Sequence, residues 1–439
     1  MRRGRGGEQS VRRLVVREHT KVFPWDEEGK PPPPSHIERR LYKRLKRFDQ
    51  HGRKEADRVF LWGDDSARTT QWVGVIQVPG LQVEVLPKVD DAQDDQVRSN
   101  LLYMLAIAGQ VPVRDRDVAH LATRRAPLSE TLAAIFADRL HRELLLGPAR
   151  AYMRREENLR RFKGKLLISQ QTLHNAAHRE RFFCRFDEFS EDTLMNRIFR
   201  AACRVLLDST RTPSTQDRLR HCLLLLDEVE DVFIHDELFD QITITRQNER
   251  FADVLRFCRL ILKERSPTVR SGSERSFSLL FDMNRVFEDF VAAFLKKQVI
   301  PHLDGYRLYP QAKNQRLHLM TSKGRGVLPL RPDLLIRASD DRLFVLDTKW
   351  KQLSGEGARG GVGTDDLYQL YAYTRRYKCR RSVLLYPQVN GAKCRDFAIV
   401  DTSKQVGVRF VNLSRDLHKE RDDLACELTY IVKEGITAQ

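Results

Sequence analysis

The spacing of apolar and polar positions changes period along this chain, and each change marks a different kind of element. Up to about residue 91 the apolar residues fall in short β-branched runs: VRRLVV (11–16), RVFLW (58–62), QWVGVIQV (71–78) and LQVEVLPKV (81–89). Such runs predict strands, and Pro79-Gly80 between the last two predicts a hairpin turn. Four prolines at 31–34 make a stiff extended spacer, followed by IERRLYKRLKRF (37–48), which sets Ile37, Leu41, Leu45 and Phe48 on one helical face. From about residue 96 the spacing becomes helical. VRSNLLYMLAIAG (97–109) ends on a glycine, and LSETLAAIFADRLHRELLLG (128–147) opens on the capping sequence Ser129-Glu130 and closes on Gly147. SEDTLMNRIFRAACRVLLDS (190–209), residues 218–232 and FADVLRFCRLILKE (251–264) continue the pattern, and the arginine-dense ARAYMRREENLRRFKGKL (149–166) falls within this helical region. SPTVRSGSERS (266–276) is small and polar, a boundary signal.

Beyond it the periods mix. A helix is expected over 279–299, with Phe287, Val291, Phe294 and Leu295 on its buried side. Strands follow near 307–309 and 317–320, then a hairpin over 330–351, a glycine-rich loop over 351–363, a helix over 365–378, and strands over 381–387, 395–401 and 406–414. The expected fold class is α+β multidomain: a β-rich N-terminal domain (1–95), an α-helical middle domain (96–270) and a C-terminal mixed α/β domain (271–439).

Chemistry concentrates in LRPDLLIRASDDRLFVLDTKWK (330–351). Two apolar runs, 334–336 and 343–346, flank a polar turn, so an acid stands at the start of one strand and at the end of the other. Because strand side chains alternate, Asp347 and Lys349 project from one face and Leu346, Thr348 and Trp350 from the other. If the hairpin pairs as written, Asp333 approaches Asp347. Two carboxylates and an ammonium at the open end of a sheet can hold a divalent metal and orient water against a phosphodiester. In the helix DLYQLYAYTRRYK (366–378), Asp366, Gln369 and Tyr373 recur at helical spacing, beside an expected buried stripe of Leu367, Leu370, Tyr371 and Thr374. Gln369 is suited to a water or a DNA phosphate, and Tyr373 to the phosphate or to fixing Gln369. The plainer alternative makes Tyr373 a core residue and Asp347–Lys349 a surface ion pair.

Composition narrows the partners. The 439 residues have room for about two or three domains. Lys and Arg total 77 against 60 Asp and Glu, a formal +17, which favours a polyanionic partner unless the whole proteome is basic. There is no apolar run of about 18 residues and no apolar core behind the arginines of MRRGRGGEQS, so a cytoplasmic protein without a membrane partner is expected. The seven cysteines are scattered without a CxxC pair and read as reduced thiols. A zinc reading of His174, His178 and Cys184 lacks the glutamate of HExxH, since Asn175 stands there. No GxxxxGK[ST] occurs, so nucleotide hydrolysis is not expected of this chain.

PDLLIR (332–337), VLDTKW (345–350), DLYQLYAY (366–373) and LLYP (384–387) resemble the PD-(D/E)xK nuclease superfamily. With VGVIQVPGLQVEVLPK (73–88), RRFKGKL (160–166) and FDEFSEDTLMNRI (186–198), most of the chain after roughly Trp72 resembles the McrC family, nuclease subunits of McrBC modification-dependent restriction systems. The resemblance implies a restriction-endonuclease-like C-terminal core and DNA cleavage directed at 5-methylcytosine-type modification. It implies that Asp333 and Asp347 bind metal, that the Thr348 carbonyl is a backbone ligand, that Lys349 is the catalytic lysine, and that Glu288 reaches the metal through water. Mg²⁺ is the implied cofactor, with Mn²⁺ as a substitute, because hard oxygen ligands favour both over zinc. The implied partners are duplex DNA and a ring-forming AAA+ GTPase like McrB, into which the regions before the nuclease core would plug as a stalk. Arg154, Arg155, Arg160 and Lys163 are candidates to enter that ring. A stand-alone repair nuclease and a non-cutting activator of an AAA+ ring are the other readings.

Overall fold

The computed structural model describes residues 11–27, 30–51, 53–113, 126–262, 276–322, 325–353 and 359–437. The chain is a mixed α/β, multidomain protein with several sheets. Contacts divide it into two units, Met1–Thr131 with Thr268–Gln439, and Leu132–Pro267. This differs from the three consecutive segments 1–95, 96–270 and 271–439, and strand pairing gives the reason. In the first unit, Arg12–Arg17 lies parallel to Leu81–Leu86, which forms the expected hairpin with Trp72–Val78 across Gly80. The fourth strand of this sheet is Phe277–Asp282, antiparallel to Trp72–Val78. A strand from beyond the expected boundary therefore completes the N-terminal sheet. Gly74 allows the close pairing: it has φ +131°, and a Cβ there would sit 2.1 Å from the Leu279 carbonyl oxygen. The polar stretch 266–276 that signalled the boundary lies, except for Ser276, outside the described residues.

Helix Asp94–Ile107, expected to open the middle domain, also belongs here. It buries Val97, Leu101, Leu102 and Leu105, and Asn100 donates to the carbonyls of Leu413 and Arg415 at 2.9 and 2.7 Å. Helix Arg39–Gln50 buries Leu41 and Leu45, as its pattern predicts, but also Asp49. That carboxylate is satisfied by the Val59 and Phe60 amides and the Trp62 indole, which explains how it can be buried.

The C-terminal part of this unit is a six-stranded sheet in the order Arg307–Pro310, Leu334–Arg337, Leu343–Thr348, Arg381–Pro387, Gln405–Val411, Arg395–Ala398. The expected hairpin pairs Leu334 with Leu346 and Arg337 with Leu343. Leu343–Thr348 then runs parallel to Arg381–Pro387, with helix Thr364–Arg376 as the crossover. Alternation settles the two faces. Val345 joins Leu370 and Tyr373 in one core, whereas the Phe344 ring sits where a Cβ on Gly435 of helix Arg421–Thr437 would fall. Phe344, Val345 and Leu346 are fully buried between these layers, each stabilising the fold by about 1.5–3 kcal/mol. The strand expected near 317–320 is His318–Ser322, and it pairs with a strand the pattern did not show, Arg325–Pro329.

The second unit corrects the reading of an all-helical middle. Helices Leu194–Ser209, Pro213–Leu224 and Ala252–Leu262 are present, the first capped by the Thr193 side chain accepting from the Asn196 amide. The arginine-dense stretch is instead strand Ala151–Leu159, antiparallel to Phe182–Ser190, with Lys165–Leu166 on the other side. Ion pairs tie the ribbon together, Arg185 to Glu156 at 2.7 Å and Arg155 to Glu188 at 2.9 Å. All seven cysteines are free, five buried and two exposed. Among the described residues no helix is long and apolar enough to cross a membrane.

Candidate functional site

The hairpin core ends where its sequence turns polar. Strand Leu343–Thr348 is a central strand and stays apolar through Leu346; the next residue, Asp347, remains 1% exposed because neighbouring strands flank it. Lys349 continues the parallel pairing by one bond, its amide donating to the Leu385 carbonyl at 2.9 Å. The carboxyl ends of parallel strands open a crevice at this point. Asp333 enters it from the neighbouring strand, and both the amide and the hydroxyl of Thr348 donate to its Oδ2, at 2.7 and 2.8 Å.

The alternation expected of Asp347 and Lys349 holds. Lys349 Nζ lies 2.7 Å from Asp347 Oδ2 and donates to Gln369 Oε1 at 3.0 Å. Gln369 Nε2 in turn donates to the Tyr373 hydroxyl at 2.8 Å, one helical turn away. Asp366 is buried on the same helix and accepts from Lys351 at 2.9 Å and from the Tyr386 hydroxyl at 3.3 Å. The expected buried stripe needs one correction. Leu370 and Thr374 are buried, but Tyr371 is 44% exposed, and Tyr373 takes its place in the core.

Electrostatics set Asp347 apart. Among the described residues neither of its oxygens meets hydrogen-bond geometry, because the Lys349 ammonium, 2.7 Å from Oδ2, approaches off the angle of a hydrogen bond. Burial, and then the neighbouring Asp333, push the Asp347 pKa above the ordinary carboxylate range. Burial and then Glu288 do the same to Asp333. Burial alone would lower the Lys349 pKa, yet Asp347, Asp333 and Asp366 outweigh it and hold the ammonium charged. A buried carboxylate held by a single off-angle ammonium is costly, and a cation between the two aspartates would relieve it.

Glu288 stands on helix Met283–Phe294, whose Phe287, Val291 and Phe294 are buried as expected, followed by buried Leu295. With Asp333, Asp289, Gln311, Lys313 and Arg316 it lines a cleft of about 760 Å³. Burial raises its pKa, with Asp289 and Asp347 adding to the shift. Among the described residues no three His, Cys, Asp or Glu side chains converge as a metal cluster. The set is therefore two carboxylates with a third acid across the cleft, and His174, a zinc candidate by spacing, stacks on Phe183.

Sequence reasoning missed Gln311 and Glu18. Gln311 donates to Glu288 at 3.1 Å, and its amide donates to the Asp333 carbonyl at 2.6 Å. It occupies a turn at φ 51°, with no spacing that ties it to Asp333. Glu18 follows the first strand and is fully buried, accepting from the Trp350 indole at 3.0 Å and the Lys88 amide at 3.0 Å. It thereby holds the residue just after Lys349. Burial is the main cause that pushes its pKa up to about 8.

The consequence is a pH-dependent stability. Folded Glu18 keeps a proton that the unfolded chain releases above about 4.5. Its contribution is therefore complete below about pH 4.5 and is lost as pH rises towards about 8. Glu18→Gln should remove that slope, so the difference in unfolding free energy between variant and wild type grows in the variant's favour from pH 5 to pH 8, on the order of a few kcal/mol, and the melting temperatures should diverge accordingly. Parallel melting curves at both pH values would show that Glu18 carries no such proton.

A family model described as McrBC 5-methylcytosine restriction system component matches residues 67–387. Among solved structures, the refined half-complex from a tetradecameric assembly of Thermococcus gammatolerans McrB AAA+ hexamers with bound McrC contains a similar chain. It is 21% identical, with 96% of this chain and 100% of that chain covered and a TM-score of 0.66, which shows a shared fold. The cryo-EM structure of the Thermococcus gammatolerans McrBC complex contains a chain 23% identical, with 66% of this chain and 90% of that chain covered and a TM-score of 0.48. No curated protein matched.

Proposed function

The chain belongs to the McrBC 5-methylcytosine restriction system component family, and from that premise we propose that it is the McrC-type endonuclease subunit, cutting duplex DNA with Mg²⁺ in concert with an AAA+ GTPase ring. The observation that supports it most is Asp347: a carboxylate buried at the end of a central strand, with neither oxygen in hydrogen-bond geometry among the described residues, flanked by Asp333 and ion-paired to Lys349. A PD-(D/E)xK core has need of this arrangement, and an ordinary ion pair does not.

Asp333 and Asp347, with the Thr348 carbonyl, would hold the cation, and Glu288 would reach it through water. Two protein carboxylates suit Mg²⁺, which keeps several of its waters, and Mn²⁺ could replace it. When bound, the ion would neutralise phosphate charge and acidify a water molecule. Thr348 fixes Asp333 through two hydrogen bonds, leaving the other carboxylate oxygen for the ion. Lys349 stays protonated, is aimed by Asp347 and Gln369, and would orient the attacking water and stabilise charge developing on the phosphate. Tyr373 holds Gln369 in place, so the ammonium is presented by a fixed chain of contacts. A non-cutting activator has no use for a retained Asp333, Asp347 and Lys349.

The test is Mg²⁺-dependent cleavage of methylated duplex by the chain together with its AAA+ partner and nucleotide, against the same mixture in EDTA. Absence of cleavage under all of these conditions would remove the nuclease reading. DNA affinity of the chain alone should be weak, indifferent to methylation and steeply salt-dependent, since the +17 charge supplies phosphate contacts without an evident base-reading element. Preferential binding of methylated over unmethylated duplex by the chain alone would contradict it.

A further inference from the structure

Between Tyr309 and Asp333 the chain leaves the six-stranded sheet and returns to it. The bond from the Gln311 amide to the Asp333 carbonyl ties the two ends of this excursion together at the cleft. Within it, His318–Ser322 and Arg325–Pro329 form an antiparallel ribbon in which every residue is exposed. A two-stranded ribbon in water is marginal by itself. This one is held at its base: the Leu330 amide donates to the Leu317 carbonyl at 2.8 Å, the Leu317 amide to the Tyr377 hydroxyl at 3.3 Å, and Arg376 to the His318 carbonyl at 2.8 Å. Arg376 and Tyr377 end the helix that carries Gln369 and Tyr373, so the ribbon is fixed to the site from both sides.

Its charge is one-sided. From Gly305 to Pro332 the sequence has no Asp or Glu. Lys313, Arg316, Arg325 and Arg331 are exposed, and none pairs with a carboxylate among the described residues, whereas the nearby Arg337 and Arg342 both do. Lys313 and Arg316 line the cleft with Asp333. The ribbon also leaves Met320 and Leu328 57% exposed, large apolar side chains among unpaired cations. Water suits neither group, and the grooves of a duplex suit both: phosphates flank them, and their floor takes apolar contact. A two-stranded ribbon is also of a width that the major groove admits.

Resting on the nuclease reading above, we propose that Lys313, Arg316 and the paired strands His318–Ser322 and Arg325–Pro329 form the duplex-DNA grip of this site: Lys313 and Arg316 hold backbone phosphates of the strand entering the cleft, and the ribbon lies in the adjoining groove with Arg325 on a flanking phosphate. The ribbon strands contain no Asn, Gln, Asp or Glu, and with Lys313, Arg316 and Arg325 on phosphates the grip positions the duplex through its backbone.

The experiment measures binding of the full-length chain to a short unmodified duplex in EDTA, by fluorescence anisotropy across a salt series. The triple variant Lys313→Ala/Arg316→Ala/Arg325→Ala should bind at least about 10-fold more weakly and flatten the log–log salt slope by about 2–3. Met320→Ser/Leu328→Ser should weaken binding several-fold with the salt slope unchanged. All of these side chains are exposed, so melting temperatures should match wild type, and nucleotide turnover by the AAA+ partner should not change. Wild-type affinity and slope in the triple variant would overturn the proposal. So would a changed oligomeric state in sedimentation with unchanged DNA binding, which would mark the ribbon as a contact between copies. The two readings separate cleanly: if wild type binds duplex through these residues but never cuts it, the grip stands and the nuclease falls. If wild type cuts and the triple variant binds as tightly as wild type, the nuclease stands and the grip falls.

Discussion

Asp347→Ala is expected to abolish Mg²⁺-dependent DNA cleavage, by about 10³-fold or more, while leaving the protein folded. The carboxylate is 1% exposed, and among the described residues its close contact is the off-angle ion pair with Lys349, whose attraction is offset by the cost of burying the charge, so it adds little stability. Its removal takes away one of two metal ligands and opens only a small cavity at a strand end, so the melting temperature should shift by no more than a few degrees. Lys349→Ala should also stop cleavage, but it should retain the cation, detectable as a Mn²⁺-dependent rise in melting temperature that Asp347→Ala lacks. Wild-type cutting by Asp347→Ala at matched Mg²⁺ would remove Asp347 from the site.

Cleavage of duplex DNA is expected only with an AAA+ partner that hydrolyses nucleotide, and Arg160→Ala should lower the stimulation of that hydrolysis by this chain about 10-fold or more. The second unit supplies the argument. It gathers no metal-binding cluster of His, Cys, Asp or Glu among the described residues, yet its ribbon and adjoining segments expose Tyr152, Phe162, Ile168, Leu173 and Phe189, an apolar surface of the kind partners cover. Of the four basic candidates, Arg154, Arg155 and Lys163 are engaged with Asp187 or Glu188. Arg160 is exposed and has no carboxylate partner among the described residues, which leaves its charge for a nucleotide or an acidic ring interior. The assay is GTP and ATP turnover by the partner with full-length wild type, Arg160→Ala and Arg155→Ala. Equal stimulation by all three would dismiss Arg160, and efficient duplex cutting without any partner would dismiss the dependence. Full-length variants are required, because a chain cut near residue 271 loses Phe277–Asp282 and opens the edge of Trp72–Val78.

Local rules carried the hairpin and its chemistry far. A period of two puts Asp347 and Lys349 on one face whatever the rest of the chain does, and a period near 3.6 puts Gln369 and Tyr373 within one turn. Both relations hold in the structure because they depend only on covalent geometry within one element. The strand Ala151–Leu159 shows where such rules stop. Its first four residues are all exposed, so the sequence carries no buried-face alternation to announce a strand, and only hydrogen bonding to Phe182–Ser190 makes it one.

The amino-acid sequence by itself determined which elements form wherever one face must be buried, and which side chains share a face within each of them. Only the tertiary structure decided what lies across a gap. It brought Thr348 onto Asp333, Gln311 onto Glu288, Glu18 beneath Trp350 and Phe277–Asp282 against Trp72–Val78. Those contacts join residues up to several hundred positions apart, and their register is chosen by the packing of whole sheets and helices, a quantity that no window of neighbouring residues contains.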